Sequence, residues 1–147
     1  MSCLHGSCHC TNIEVTVELS APPAGYAPRA CDCDFCVKHG AAYIADPQGR
    51  LTIRVKEAAS LRRYRQGSGT AECLLCGTCG VLVAVVFRAP QDLFGVVNVR
   101  AIDRNVVFGD ATLVSPKTLS PAEKIERWSS LWFAQVRLEG APWPNSP

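Results

Sequence analysis

The stretch L-L-C-G-T-C-G, residues 74–80, decides how this chain is read. Cys76 and Cys79 stand two residues apart, and Gly77 and Gly80 punctuate the turn. Tight turns of this kind let backbone N–H groups point at a sulfur, and glycine supplies the backbone freedom they need. A second short pair lies far upstream in G-S-C-H-C, residues 6–10, which provides Cys8 and Cys10. Two such pairs, distant in sequence, can close one four-sulfur zinc site in the manner of the two knuckles of a zinc ribbon. Each Zn–S bond is about 2.3 Å, so four of them hold both loops rigidly. In a small β domain that clamp replaces part of the core the chain lacks.

The segments around the knuckles read as strands. I-E-V-T-V-E-L at 13–19 alternates apolar and polar, with Ile13, Val15, Val17 and Leu19 on one face. After the Pro- and Gly-containing loop S-A-P-P-A-G-Y-A-P, a short strand is expected at 41–45 and a D-P-Q-G turn at 46–49. L-T-I-R-V at 51–55 alternates again. V-L-V-A-V-V-F at 81–87 is a continuous apolar run, the pattern of a strand buried on both faces, and 94–102 is its expected neighbour. A helix is predicted where Ser120 can cap, Pro121 suits the first helical position and Glu123 completes a capping box. Ile125, Trp128 and Trp132 then recur at helical spacing. The reading is one zinc-binding domain over 1–147, mainly β, with small antiparallel sheets, one short C-terminal helix and an irregular Pro-rich tail at 139–147.

Composition excludes several classes. The 147 residues are 48% hydrophobic and 19% charged, an ordinary globular balance that argues against disorder. A formal net charge of +2, with no basic stripe carrying interleaved aromatics, argues against nucleic acid as a partner. The run at 81–87 is far too short to cross a bilayer, so no membrane partner is expected. M-S-C-L-H-G-S-C-H-C lacks the apolar core of a secretory signal, and the chain is expected in the cytoplasm. There thiols stay reduced, and clustered cysteines act as metal ligands or catalysts.

Nine cysteines fall at 3, 8, 10, 31, 33, 36, 73, 76 and 79. C-D-C-D-F-C, residues 31–36, gives Cys31, Cys33 and Cys36, one sulfur short of a closed tetrahedral site. Three readings stay open from spacing alone. A catalytic zinc site has three protein ligands and keeps the fourth position for water or substrate. Alternatively Cys73 or Cys3 closes a second structural site, or the cluster works as a redox dithiol. His9 lies between two cysteines and cannot easily converge on the same metal, whereas His5 and His39 read as surface residues. His39, three residues beyond Cys36, is near enough in sequence to reach that cluster. Cys73 is most simply a small buried apolar residue in a strand.

The order of these elements resembles a known family. G-S-C-H-C leads into a strand; a C-x-C-x2-C knuckle follows, with Gly40 and Ala41 shortly after. Then come L-x2-Y at Leu61–Tyr64 and C-x2-C-G opening a strand. This pattern is similar to the glutathione-dependent formaldehyde-activating enzyme family, which also contains centromere protein V. The likeness is specific from Gly6 to Leu82 and looser through 94–103 and the Trp-bearing end, a family-like region of about 3–138. It implies a β-tent-like zinc-binding fold. It assigns Cys8, Cys10, Cys76 and Cys79 to a structural zinc and Cys31, Cys33 and Cys36 to a catalytic zinc; because three ligands bind zinc more weakly than four, partial occupancy of the second site is expected. It implies a carbon–sulfur lyase that joins glutathione, as co-substrate, to formaldehyde to give S-hydroxymethylglutathione, with a small-molecule thiol and aldehyde as partners. The competing reading is a non-catalytic zinc-binding interaction module in which both zinc sites are structural.

The chain departs from the family pattern at Thr11, where glycine is frequent, and at Val81, where threonine or serine is frequent. Asp32 and Asp34 add negative charge beside the knuckle cysteines. Glutathione carries two carboxylates, so cations are expected near the site. Arg63 and Arg65, which share one strand face in the dense basic group L-R-R-Y-R, are the candidates for holding them. The same group also reads as a charged, solvated strand edge. Trp128, Trp132 and Trp143 are read as core and docking contacts.

Overall fold

The computed structural model describes residues 1–145, so the last two residues of the tail expected at 139–147 lie outside the described residues. Along the chain run β1 (Ser2–Ser7), β2 (Ile13–Leu19), β3 (Arg29–Cys31), α1 (Asp34–His39), β4 (Ala42–Ile44), β5 (Arg50–Val55) and β6 (Leu61–Tyr64). They are followed by β7 (Glu72–Cys76), β8 (Leu82–Arg88), β9 (Leu93–Asn98), β10 (Thr112–Val114), α2 (Pro121–Leu131) and β11 (Val136–Glu139). The fold is mainly β, in two sheets. Among the described residues, no helix is long and apolar enough to cross a membrane.

Period-two patterning builds the first sheet, ordered β1-β2-β5-β11. The alternation of β2 buries Ile13, Val15, Val17 and Leu19 and leaves Glu14, Thr16 and Glu18 between them on the outer face. β1 and β5 flank β2 in antiparallel register, Ser2 opposite Leu19 and Ile13 opposite Val55. β11 joins β5 in parallel, Val136 opposite Leu51.

The second sheet runs β10-β3-β4-β9-β8-β7-β6. Its apolar strand β8 is buried through Phe87, as a strand covered on both faces must be. Ala84 and Val86 pack into the core shared with the first sheet, together with Leu74, Val97 and Phe133. Val85 and Phe87 point into a second core with Tyr43, Cys73, Val96 and Trp132. Two isolated bridges tie a strand of each sheet to a segment outside the strands, Gly6 of β1 with Ile102 and Gly95 of β9 with Phe133. A Cβ on Gly6 would lie 2.1 Å from the Ala101 carbonyl oxygen, so only glycine permits the first of these.

The capping box of α2 is formed as its sequence implies: the Ser120 side chain accepts from the Glu123 N–H, and the Glu123 carboxylate accepts from the Ser120 N–H. The structure adds elements that patterning did not reveal. The C-D-C-D-F-C knuckle opens a six-residue helix, with Cys33 as N-cap and Gly40, at φ 59°, as the left-handed C-cap. Not every pairing is antiparallel, because β10 runs parallel to β3 and β11 parallel to β5.

Candidate metal centres

The loop between β1 and β2 carries Cys8 and Cys10. The end of β7 carries Cys76, and the following turn carries Cys79. Their four sulfurs all lie within 4.8 Å of one another and can hold a metal ion. Sγ–Sγ separations of 3.8 Å for Cys8–Cys10 and 3.4 Å for Cys10–Cys76 compare with edges of about 3.8 Å in a tetrahedron of zinc–thiolate bonds. Backbone N–H groups support the sulfurs: Ile13 donates to Cys8 at 3.2 Å, and Thr78 and Cys79 donate to Cys76 at 3.4 and 3.5 Å. Burial pushes the Cys8 thiol up to about 12. Burial acts the same way on Cys79, but donation from the backbone at Cys10 and Val81 helps bring it down to about 6. The donor set therefore fits a thiophilic divalent ion, and binding one displaces protons. His9 is exposed and outside this set.

Cys31 at the end of β3, Cys33 at the α1 N-cap and Cys36 in the first turn of α1 form a second set, again within 4.8 Å. The Cys36 N–H donates to the Cys33 sulfur at 3.4 Å, and the Gln66 side-chain amide reaches the same sulfur at 3.8 Å. The Tyr43 hydroxyl lies 3.2 Å from the Cys36 sulfur. Burial holds Tyr43 far above its usual range, so it stays protonated and donates to that sulfur. A hydrogen bond from Cys36, above all, lowers the Cys31 thiol to about 6, and the same bond with burial raises Cys36.

Neither proposed fourth ligand joins this set. Cys73 is buried on β7, and burial pushes its thiol up to about 12. Cys3 is exposed on β1, its sulfur 4.0 Å from a ring nitrogen of His5. His39 is exposed and its ring sits 4.7 Å from that of Phe35.

The three-cysteine set lines a cavity of about 620 Å³. Tyr43, Cys73, Val85 and Val96 form part of the wall, and α2 contributes Trp128 and Trp132. These two rings stack at 4.6 Å and pack on Phe87 at 5.9 and 5.4 Å. They are docking contacts, as the sequence implied, and they face the cavity as well. Trp143 is not in that wall; its ring lies under the Arg88 guanidinium at 5.5 Å.

Four cations line the same cavity: Arg29, Lys117, Lys124 and Arg127. Lys117 is 3.7 Å from Asp32, and Lys124 donates to the Ser68 hydroxyl at 3.4 Å. Arg29 has a buried Nη2 with no hydrogen-bond partner among the described residues. Burial, and then the nearby Arg127 charge, hold its guanidinium below the usual range. Arg63 and Arg65 lie elsewhere. Both pair with buried Glu72, at 2.8 and 3.4 Å, and both donate to tail carbonyls, of Pro142 and Asn145 respectively. Neither lines the cavity. Sequence reasoning missed Arg29 and Arg127 because each stands alone in the chain. The available signal was that Arg29 is two residues before Cys31 and shares its strand face.

No curated protein matches the chain. A crystal structure of a Rhodobacter sphaeroides protein is similar at 29% identity and a TM-score of 0.53, over 76% of this chain and 100% of that one. The family model described as glutathione-dependent formaldehyde-activating enzyme matches residues 3–125. That span takes in both cysteine sets and every strand that carries them, and the chain belongs to the glutathione-dependent formaldehyde-activating enzyme family.

Proposed function

We propose that this protein is a carbon–sulfur lyase-type zinc enzyme that adds a thiol to an aldehyde, with glutathione and formaldehyde as the pair its family points to. The observation that carries this reading is the placement of Cys31, Cys33 and Cys36 on the wall of a large cavity, while the four-sulfur set lies outside it. Under this reading Cys8, Cys10, Cys76 and Cys79 hold a structural zinc, and Cys31, Cys33 and Cys36 hold a catalytic one. When bound by three thiolates, zinc offers a further position to a substrate sulfur and favours its reactive thiolate form.

The chain's own groups do the rest. Tyr43 and the Cys36 N–H orient the Cys36 and Cys33 sulfurs. Val85, Val96 and Trp132 present apolar surface that displaces water from the reacting pair. A cavity of about 620 Å³ is far larger than formaldehyde needs and lies in the range of sites for peptide-sized ligands. Holding thiol and aldehyde together supplies much of the rate. In the addition the sulfur–carbon bond forms, the carbonyl π bond breaks, and the thiol proton ends on the new hydroxyl oxygen.

This adduct also forms reversibly in solution, so the decisive quantity is the exchange rate of labelled formaldehyde between free and adduct forms, measured by NMR. The expected result is acceleration by zinc-loaded protein with two metals per chain by mass spectrometry. Cys31→Ser is expected to remove one metal and most of the acceleration, more than the roughly 10–100-fold loss from disturbing an outer-shell partner. Cys73→Ala and Cys3→Ala are expected to keep both metals. Release of a metal by either one, with no acceleration in the wild type, supports the non-catalytic module instead.

A further inference from the structure

We infer that Arg29 and Arg127 form the seat for a carboxylate of the thiol substrate. The inference rests on the thiol-addition reading above and names the residues that select the thiol.

Arg29 and Cys31 alternate onto one face of β3, and both line the cavity. A guanidinium nitrogen buried without an acceptor is unfavourable, and Arg29 Nη2 is in that condition. The fold aggravates it by bringing Arg127 of α2 to the same cavity. Arg127 makes no ion pair among the described residues. The neighbouring carboxylate, Asp32, is not part of the cavity wall: its Oδ2 is engaged by the Ser115 hydroxyl and Lys117, its Oδ1 is buried without a partner among the described residues, and it forms no ion pair with either arginine. Two arginines therefore converge with no anion between them. Such an arrangement is poor when empty and favourable around a carboxylate, which guanidinium groups bind through paired hydrogen bonds.

Spacing narrows the ligand. Residues two apart on a strand are separated by about 7 Å, so one small molecule can place its sulfur by Cys31 and its carboxylate by Arg29. A mercapto acid or a cysteinyl peptide has that reach; a free inorganic anion does not. The apolar wall of Val85, Val96, Trp128 and Trp132 suits the carbon skeleton between the two ends. Arg63 and Arg65 share Glu72 and lie outside the cavity wall, so they are not placed to serve as this seat.

The test uses zinc-loaded full-length protein and S-methylglutathione, whose blocked thiol permits binding without chemistry. Binding is read by tryptophan fluorescence and calorimetry. Arg29→Met and Arg127→Met are each expected to weaken it about 10–100-fold. The diethyl ester of the same ligand is expected to bind wild type and variants alike. Arg29→Met is also expected to raise the ligand-free Tm by about 2–4 °C, because it removes a half-buried guanidinium whose buried Nη2 has no partner among the described residues, whereas loss of a purely structural arginine lowers it. Arg127 is exposed on its helix, so its variant folds whatever happens at Arg29. Unchanged binding in both variants, or no binding by wild type, overturns the inference. Equal acceleration of formaldehyde exchange with 2-mercaptoethanol and glutathione overturns the carboxylate seat but leaves thiol addition standing. Arginine-dependent binding without acceleration of any exchange keeps the seat and removes the lyase reading.

Discussion

Thr11 shows how one residue can record a compromise in a loop that carries two cysteines. It is the non-glycine residue with positive φ, 67°, among the described residues, and it sits in the turn where its N–H donates to the Cys8 carbonyl at 3.2 Å. A β-branched side chain in the left-handed region costs about 1–2 kcal/mol, which is why glycine suits this position in the family pattern. Thr11→Gly is expected to stabilise the metal-loaded protein by about 0.5–1 kcal/mol after the greater freedom of the unfolded glycine is counted. Thermal melts check the sign; a fall would mean that the Lys56–Thr11 hydrogen bond at 3.3 Å outweighs the strain. At this scale the cysteines were legible because each knuckle is local in sequence. Arg29 and Arg127 were not, since β3 and α2 are joined at the cavity only by the completed fold. Arg63 and Arg65 drew attention by their density, but Glu72, which engages both, carries no mark in the sequence of being buried.

Among elements, the D-P-Q-G turn does more than reverse the chain. Asp46 is buried and accepts from the Ser20 N–H at 2.8 Å, the Ser20 hydroxyl at 2.6 Å, the Tyr26 hydroxyl at 2.7 Å and the Gln48 N–H at 2.9 Å. Burial alone would raise its pKa, but these donors outweigh burial and bring it from 3.8 to about 2. The unfolded chain takes up this proton near pH 4 and the folded chain only near pH 2. The carboxylate therefore stabilises the fold above about pH 4, and the contribution is lost as pH falls toward 2. The shift corresponds to about 2 kcal/mol. Asp46→Asn is expected to lower stability by about that amount at pH 7, with the gap to wild type closing between pH 4 and 2 in denaturant titrations. The strands β2, β5, β8 and β9, with α2, were readable because each carries an apolar pattern or a cap of its own. β1, β10, β11 and α1 were not. They take their conformation from a partner strand or from the cysteine cluster.

Across the whole molecule, the four-cysteine set joins the β1–β2 hairpin of the first sheet to the β7–β8 turn of the second. Removing metal from it is expected to lower the thermal midpoint by about 10 °C or more, since closed structural zinc sites contribute folding free energy directly. Circular dichroism melts with and without a strong chelator measure this, and an unchanged midpoint would show that the sheets hold together without the clamp. The mainly β class and the zinc-compatible clusters were legible because both rest on local patterns, while the parallel pairings were hidden because they join segments far apart. One of those pairings also bears on how the chain is made. Arg54 on β5 pairs with Glu139 on β11, 85 positions later. At about 5–20 residues per second a ribosome takes on the order of 4–17 s to cover that distance. For those seconds the apolar strand L-T-I-R-V emerges with one edge unpaired, so the nascent chain, more than the finished protein, is the state most in need of a chaperone.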